Sequence, residues 1–192
     1  MGILRHDFYN RDTLQVAKDL LAKKLVRRHQ GLIFSGIIVE TEAYLSRSDT
    51  ASHAFRGKTS RNSVMFGPAG RAYVYFIYGM HYMFNIVTEE KDSPGAILVR
   101  AILPLEGLNQ MEALRKKTGR DLTNGPAKLC QAMAIDKSLN GWDLTGGKTL
   151  WLEDYKTIAD TCVRSSPRIG IDYAAPKDRH ANLRFFVDKD VI

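Results

Sequence analysis

The sequence predicts an α+β fold, a single domain over residues 1–192 built on a mostly antiparallel β-sheet flanked by helices. Three observations predict it. A chain of 192 residues, 44% hydrophobic and 26% charged, can bury a real core but is short for two domains. β-branched and aromatic runs recur between tight turns, as when strands fold back antiparallel. Helical periodicity is confined to a few segments, so helices pack on the sheet rather than alternating with every strand.

Each element has a local reason. Leu14, Ala17, Leu20 and Leu21 fall at helical spacing, which predicts a helix over Thr13–Ala22 with Asp12 as its N-cap. Lys24–Arg28 reads as a strand, Gln30-Gly31 as a hairpin turn, and Leu32–Tyr44 as a long second strand bent at Gly36. Leu45–Gly70 is polar, small and basic, and is expected to be mostly loop. Ala72–Tyr78 and His81–Thr88 form an expected β-hairpin across Gly79-Met80, followed by a strand over Ala96–Leu103. Leu108–Lys117 reads as a helix ending near Gly119. Asn124 is placed to cap a further helix with Pro126 in its first turn. Thr149–Leu152, Thr161–Arg164 and Leu183–Val187 are the remaining strand candidates.

Composition narrows the function. Lys and Arg total 28 against 21 Asp and Glu, a formal charge of +7, which favours a polyanionic partner. Basic residues cluster over Leu45–Arg71, Arg115–Arg120 and Arg164–Arg184, spread over turns and loops as in a phosphate-contacting surface. A generic basic surface is the competing reading. The 2 cysteines, Cys130 and Cys162, exclude a disulfide scaffold and a Cys-rich zinc site, and free thiols in a cytosolic setting are expected. The chain's start lacks a signal-peptide core, and no apolar run is long enough to cross a membrane. There is no phosphate-binding Gly-rich loop, no Gly-x-Ser-x-Gly elbow and no zinc-deaminase signature.

Two segments carry chemistry. In a strand through Val39–Tyr44, side chains alternate, so Glu40, Glu42 and Tyr44 share one face and Val39, Thr41 and Ala43 the other. Two carboxylates and a phenol together suit catalysis, although a solvated strand edge has the same pattern. The second segment is the aromatic hairpin. A Gly79-Met80-His81 loop would set Tyr78 against Tyr82 and Tyr75 against Asn85, while a two-residue loop shifts the pairing by one. Tyr78 and Met80 lie at the tip in either case, where large apolar groups between basic loops suit insertion between base steps. Phe76, Ile77 and Phe84 are expected to pack inward. His53 lies in a polar loop.

Taken in order, Ile38–Tyr44, His53, Tyr73–Met80, Asn85, Leu98–Ala101, Pro104–Gly107, Asn124–Ala132, Pro167–Ile171 and Leu183–Val187 resemble the alkyladenine (3-methyladenine) DNA glycosylase family, in its bacterial type, over nearly the whole chain. The resemblance implies a monofunctional glycosylase of base excision repair. It would flip alkylated or deaminated purines out of double-stranded DNA and hydrolyse the N-glycosidic bond, leaving an abasic site. Glu42 would be the catalytic base acting on water and Arg100 its active-site partner, with Glu40 structural. Spacing alone does not separate the two glutamates. Tyr44, His53 and Tyr75 would sandwich the flipped base, and Asn85 on the pocket floor would disfavour guanine's amine. Tyr78 would fill the vacated stack. Met80, Arg61 and Lys128 would contact DNA, although for Arg61 and Lys128 a solvated surface role is equally open. No metal and no cofactor is implied; the partner is DNA containing damaged purines, not a membrane, and a monomer in the cytoplasm, nucleoid-associated if bacterial, is expected. The expected architecture is thus a curved sheet with the Tyr75–Asn85 hairpin protruding into the minor groove.

The chain departs from the family pattern at Leu45–Asp49 and at His81–Phe84, near the pocket and wedge, which leaves the lesion range open. The alternative is a non-catalytic damaged-DNA-binding module of the same fold, which would have no use for Glu42 beside a polyanion. A hydrolase of free nucleosides is a third reading, and it leaves Tyr78 and the basic loops without a purpose.

Overall fold

In a computed structural model the protein is described over residues 2–192, Lys189 by its backbone alone, and one long strand organises it. Strand β2 (Leu32–Tyr44) is reached from β1 (Lys24–His29) through Gln30-Gly31, both at positive φ, the backbone a two-residue hairpin requires. Helices α1 (His6–Tyr9) and α2 (Thr13–Asp19) precede them. The Asp12 side chain accepts from Gln15 N at 3.0 Å and so caps α2 as expected. Val16, Ala17 and Leu20 are fully buried against the sheet, each large side chain contributing ~1.5–3 kcal/mol.

The aromatic hairpin is β3 (Ala72–Ile77) and β4 (His81–Thr88), and β5 (Gly95–Glu106) follows. Helix α3 (Leu108–Arg115) closes on Lys116 in the left-handed region, so it stops short of the expected Lys117. Helix α4 (Pro126–Ala132) has Gly125, not Asn124, at its N-cap; Asn124 Oδ1 instead accepts from Lys128 Nζ at 2.8 Å. Strand β6 (Leu150–Glu153) comes next. The strand expected at Thr161–Arg164 starts later, as β7 (Arg164–Ser166), because a 3-10 turn occupies Asp160–Cys162. Helix α5 (Pro176–Arg179) and β8 (Arg184–Phe186) complete the set.

Every strand pair is antiparallel, and the order is β3-β4-β5-β2-β1-β6. One edge of β2 is shared, with β1 along Leu32–Ile37 and β8 along Glu40–Glu42. The other edge carries β5 from Ser35 to Tyr44. That long pair is irregular at two places. One is at Gly36, where an added Cβ would lie 2.9 Å from Leu103 O, so the expected bend coincides with a close backbone approach that only glycine permits. The other runs from Ile38↔Ile102 through Glu40↔Ala101 to Thr41↔Val99, leaving Val39 and Arg100 without direct partners.

The two sheet faces differ. α2, α4 and the buried side chains Ile38, Val74, Phe84 and Val99 form the main core on one face. On the other face the segments 45–70 and 167–175 pack in two smaller apolar clusters, around Met65 and Tyr73 and around Ala51 and Ile171. The gap left between them is the functional cavity. Thr41 and Ala43 point into the main core, with Thr41 Oγ1 donating to Ala17 O, so Glu40, Glu42 and Tyr44 are turned towards the cavity side as strand alternation requires.

Candidate active site

A cavity of about 970 Å³ opens between the hairpin and the two loop segments, lined by Tyr44, His53, Tyr75, Asn85 and Arg100 among others. Behind its wall sits Glu42, with no exposed surface. Burying a carboxylate is costly unless it is hydrogen-bonded and paired. Two hydrogen-bond donors and an ion pair meet that need: Ile169 N to Oε1 at 2.8 Å, the Tyr44 hydroxyl to Oε2 at 2.9 Å, and the Arg100 guanidinium with Nη1 3.1 Å from Oε1. A carboxylate offers about four acceptor positions, so one on Oε2 stays open on the side of Tyr44. Arg100 Nε is bonded to Glu40 Oε1 at 2.7 Å. Burial pulls the Arg100 pKa down, but the Glu42 and Glu40 carboxylates outweigh it and the net shift is upward. Burial and the Glu42 charge hold the Tyr44 phenol well above its ordinary range.

The aromatic wall is also uncharged. His53 Nδ1 meets the Tyr73 hydroxyl at 2.9 Å, and its ring lies 4.6 Å from that of Tyr75. Burial, with the nearby Arg61 charge, lowers the His53 pKa to about 4. Burial pushes the Tyr73 phenol up to about 12 and raises that of Tyr75 further. Asn85 is buried, and its amide is tethered through Nδ2 to Tyr73 O at 3.1 Å. Arg61 lies over the Tyr75 ring at 5.4 Å and donates to Phe76 O.

At the mouth stands the hairpin tip, with Tyr78 79% and Met80 67% exposed. The hairpin register is neither of those the sequence allows for. Ile77 pairs with His81, Tyr75 with Met83 and Tyr73 with Asn85. Tyr78 therefore belongs to the turn itself rather than pairing with Tyr82, because Tyr78 and Gly79 both adopt positive φ (+53° and +68°). Tyr73 and Tyr75 keep their shared face, but Asn85 lies opposite Tyr73. Phe84 is buried as expected, whereas Phe76 is 46% exposed and packs on Tyr82, ring centres 4.9 Å apart. Near the tip the outer face of the hairpin has no layer above it.

Lys128 stays outside the cavity; of its helix only Pro126 lines it. Its ammonium is taken up by Asp121 Oδ1 (3.1 Å) and Asn124 Oδ1 (2.8 Å). Arg168, grouped by sequence with the phosphate-contacting bases, has a fully buried side chain. It makes a two-pronged pair with Asp49 (2.5 and 2.8 Å), donates to Ala43 O and lies 4.7 Å from the centre of the Tyr44 ring. Arg168 and the Ile169 amide are site residues that sequence reasoning missed, as is Tyr173, whose hydroxyl donates to Ala51 O at the rim. The motif Pro167–Ile171 marked the segment, but nothing local distinguishes a buried arginine from a surface one. A main-chain donor carries no side-chain signal at all.

Comparison with known proteins finds relatives along nearly the whole chain. The methylpurine-DNA glycosylase family model matches residues 7–191. The chain is 52% identical over 171 residues to a Carboxydothermus hydrogenoformans protein provisionally named 3-methyladenine DNA glycosylase, covering 88% of this chain and 89% of that one. Proteins of the same provisional name from Clostridium perfringens (46%, over 96% of this chain and 95% of the other) and Methanocella arvoryzae (47%, 97% and 92%) are similar throughout. The chain belongs to the methylpurine-DNA glycosylase family, DNA-repair hydrolases that cleave N-glycosyl bonds.

Proposed function

We propose that this protein removes alkylated or deaminated purines of the 3-methyladenine, 7-methylguanine, hypoxanthine and ethenoadenine type from double-stranded DNA. It acts as a monomer and leaves the strand intact at an abasic site. The observation that carries the reading is Glu42, a buried carboxylate with one open acceptor position directly behind a cavity walled by neutral Tyr44, His53 and Tyr75. A purine cannot reach that depth while stacked in a duplex, so the nucleotide must be extruded first. Tyr78, exposed at the hairpin tip, fills the vacated stack, and Met80 follows it into the minor groove.

Once flipped, the base lies between Tyr44, His53 and Tyr75. Neutral phenol and imidazole faces attract an electron-poor, cationic purine through the ring quadrupole, and each stack contributes ~1–3 kcal/mol. The Asn85 amide, fixed by its bond to Tyr73 O, meets the base edge and disfavours the exocyclic amine of guanine. Arg61, beside the hairpin arm at Tyr75 and Phe76, and Lys128, on α4, contact the DNA backbone. Water at the open position of Glu42 loses its proton to the carboxylate as its oxygen attacks the anomeric carbon. The carboxylate's charge also stabilises the oxocarbenium-like transition state. Arg100 holds Glu42 in place. An alkylated purine leaves as a neutral base, so this single carboxylate suffices for it.

The test is single-turnover base release from duplexes carrying each lesion, read by alkaline cleavage. Glu42→Gln is expected to lower release by at least ~10²–10⁴-fold while lesion-duplex binding persists. Near-normal release by that variant would remove Glu42 from the mechanism. Tight binding without release from any lesion, in the unaltered protein, would mark a binding module instead.

A further inference from the structure

Glu40 and Arg184 have no task in that mechanism, yet both are wired into it. Glu40 Oε1 accepts from Arg100 Nε at 2.7 Å and from Arg184 Nε at 2.6 Å. Arg100 continues through Nη1 to Glu42 Oε1 at 3.1 Å. The result is one alternating chain of charges, Glu42–Arg100–Glu40–Arg184. It is shielded from solvent, with side-chain exposures of 0%, 12%, 19% and 22% in that order. Arg184 is itself held, donating to Ser166 Oγ at 2.9 Å and lying 4.7 Å from the Phe186 ring centre.

The geometry is not the one an isolated pair would choose. A guanidinium beside a carboxylate favours two parallel N–H···O bonds to the same group. Arg100 instead divides its guanidinium between two carboxylates, hydrogen-bonding Glu40 through Nε and ion-pairing with Glu42 through Nη1, at the place where β2 and β5 lose regular register. Arg100 thus approaches Glu42 only as an ion pair on Oε1, and an acceptor position on Oε2 is kept. Without Glu40, Arg100 is free to close on both oxygens of Glu42 and fill the position that water must use. Arg184 pulls on the same oxygen of Glu40 and keeps it at its post.

We infer that Glu40 and Arg184 are positioning residues that hold Arg100 in this shared geometry and so keep Glu42 open to water. The inference rests on the proposed role of Glu42. It is tested by the single-turnover rate constant for 7-methylguanine release at saturating enzyme, together with the Kd for the same duplex. Glu40→Gln should lower the rate constant ~10–100-fold, the scale of a small misplacement at a reacting group, with Kd within about twofold of normal. Arg184→Met, on β8 between β2 and β7, should lower it in the same direction with Kd again held. In an Arg100→Met background Glu40→Gln should cost less than about threefold, because its effect runs through Arg100. Normal rates in Glu40→Gln or Arg184→Met, full multiplication of the two losses, or a parallel loss of binding would each overturn the inference. Glu42→Gln separates the levels. If it stays active the parent mechanism fails; if it is inert while Glu40→Gln is normal, only the positioning role fails.

Discussion

His53 is held neutral by its surroundings, and that has a measurable consequence. Its pKa is about 4 in the folded protein against an ordinary 6.5, because burial and Arg61 both oppose the imidazolium. Between those values the unfolded chain binds the proton and the folded one does not, so stability rises with pH across the window and is lost as pH falls through it. Urea unfolding between about pH 4 and pH 6.5 should show this loss, and His53→Gln should flatten it. An unchanged slope in the variant would mean that His53 is not the responsible group. Glu40 and Glu42 show how far single residues can be read from sequence. Alternation placed them on one face correctly, but their difference lies in partners: Glu42 is enclosed by two hydrogen-bond donors and an ion pair, whereas Glu40 bridges two arginines.

Among the elements, the β3–β4 hairpin departs most from expectation. Its limits were legible from aromatic and β-branched content, but its register was set by which residues accept positive φ. Tyr78 at +53° is a bulky residue in a conformation that costs an L-residue ~1–2 kcal/mol, and glycine adopts it freely. Tyr78→Gly should therefore keep or raise the thermal midpoint. The same change should reduce lesion release from duplex DNA far more than release from a single strand, where no stacked base has to be replaced. A lower midpoint, or equal losses on both substrates, would count against the wedge. The two loop segments behind the pocket depend on a different contact. Asp49 and Arg168 are buried as a two-pronged pair, so Asp49→Leu leaves a guanidinium in the interior without its counter-ion. Urea denaturation should show a loss of ~3–5 kcal/mol, and a loss below 1 kcal/mol would mean that the pair is dispensable.

For the whole molecule, the +7 surplus is less available to DNA than a count suggests. Arg100, Arg168 and Arg184 are committed to internal carboxylates, so surface charge comes from other residues, among them Arg47, Arg56, Lys58, Arg61, Lys177, Arg179 and the Arg115–Arg120 group. Duplex affinity should still fall with rising salt, with a log–log slope of about −0.9 per phosphate contacted. A flat response would point to a small-molecule substrate. Arg168→Met should leave that slope unchanged, unlike Arg61→Ala, because a buried guanidinium neutralises no phosphate.

The sequence by itself determined the succession of α2, β1 to β5, α3, α4, β6 and β8, though not α1 or α5, and with them the shared face of Glu40, Glu42 and Tyr44, the exposed tip with Tyr78 and Met80, and the family. These follow from local rules, namely side-chain alternation, helical spacing, turn chemistry and contiguous motifs. Only the tertiary structure decided the buried state of Arg168, the amide of Ile169 as a ligand of Glu42, the division of Arg100 and the hairpin register. Three of these bring together residues far apart in the chain: Glu42 and Ile169 are separated by 127 positions, Asp49 and Arg168 by 119, and Glu40 and Arg100 by 60. Burial and partner choice at such separations exist only once the sheet has closed, so no local pattern could have encoded them.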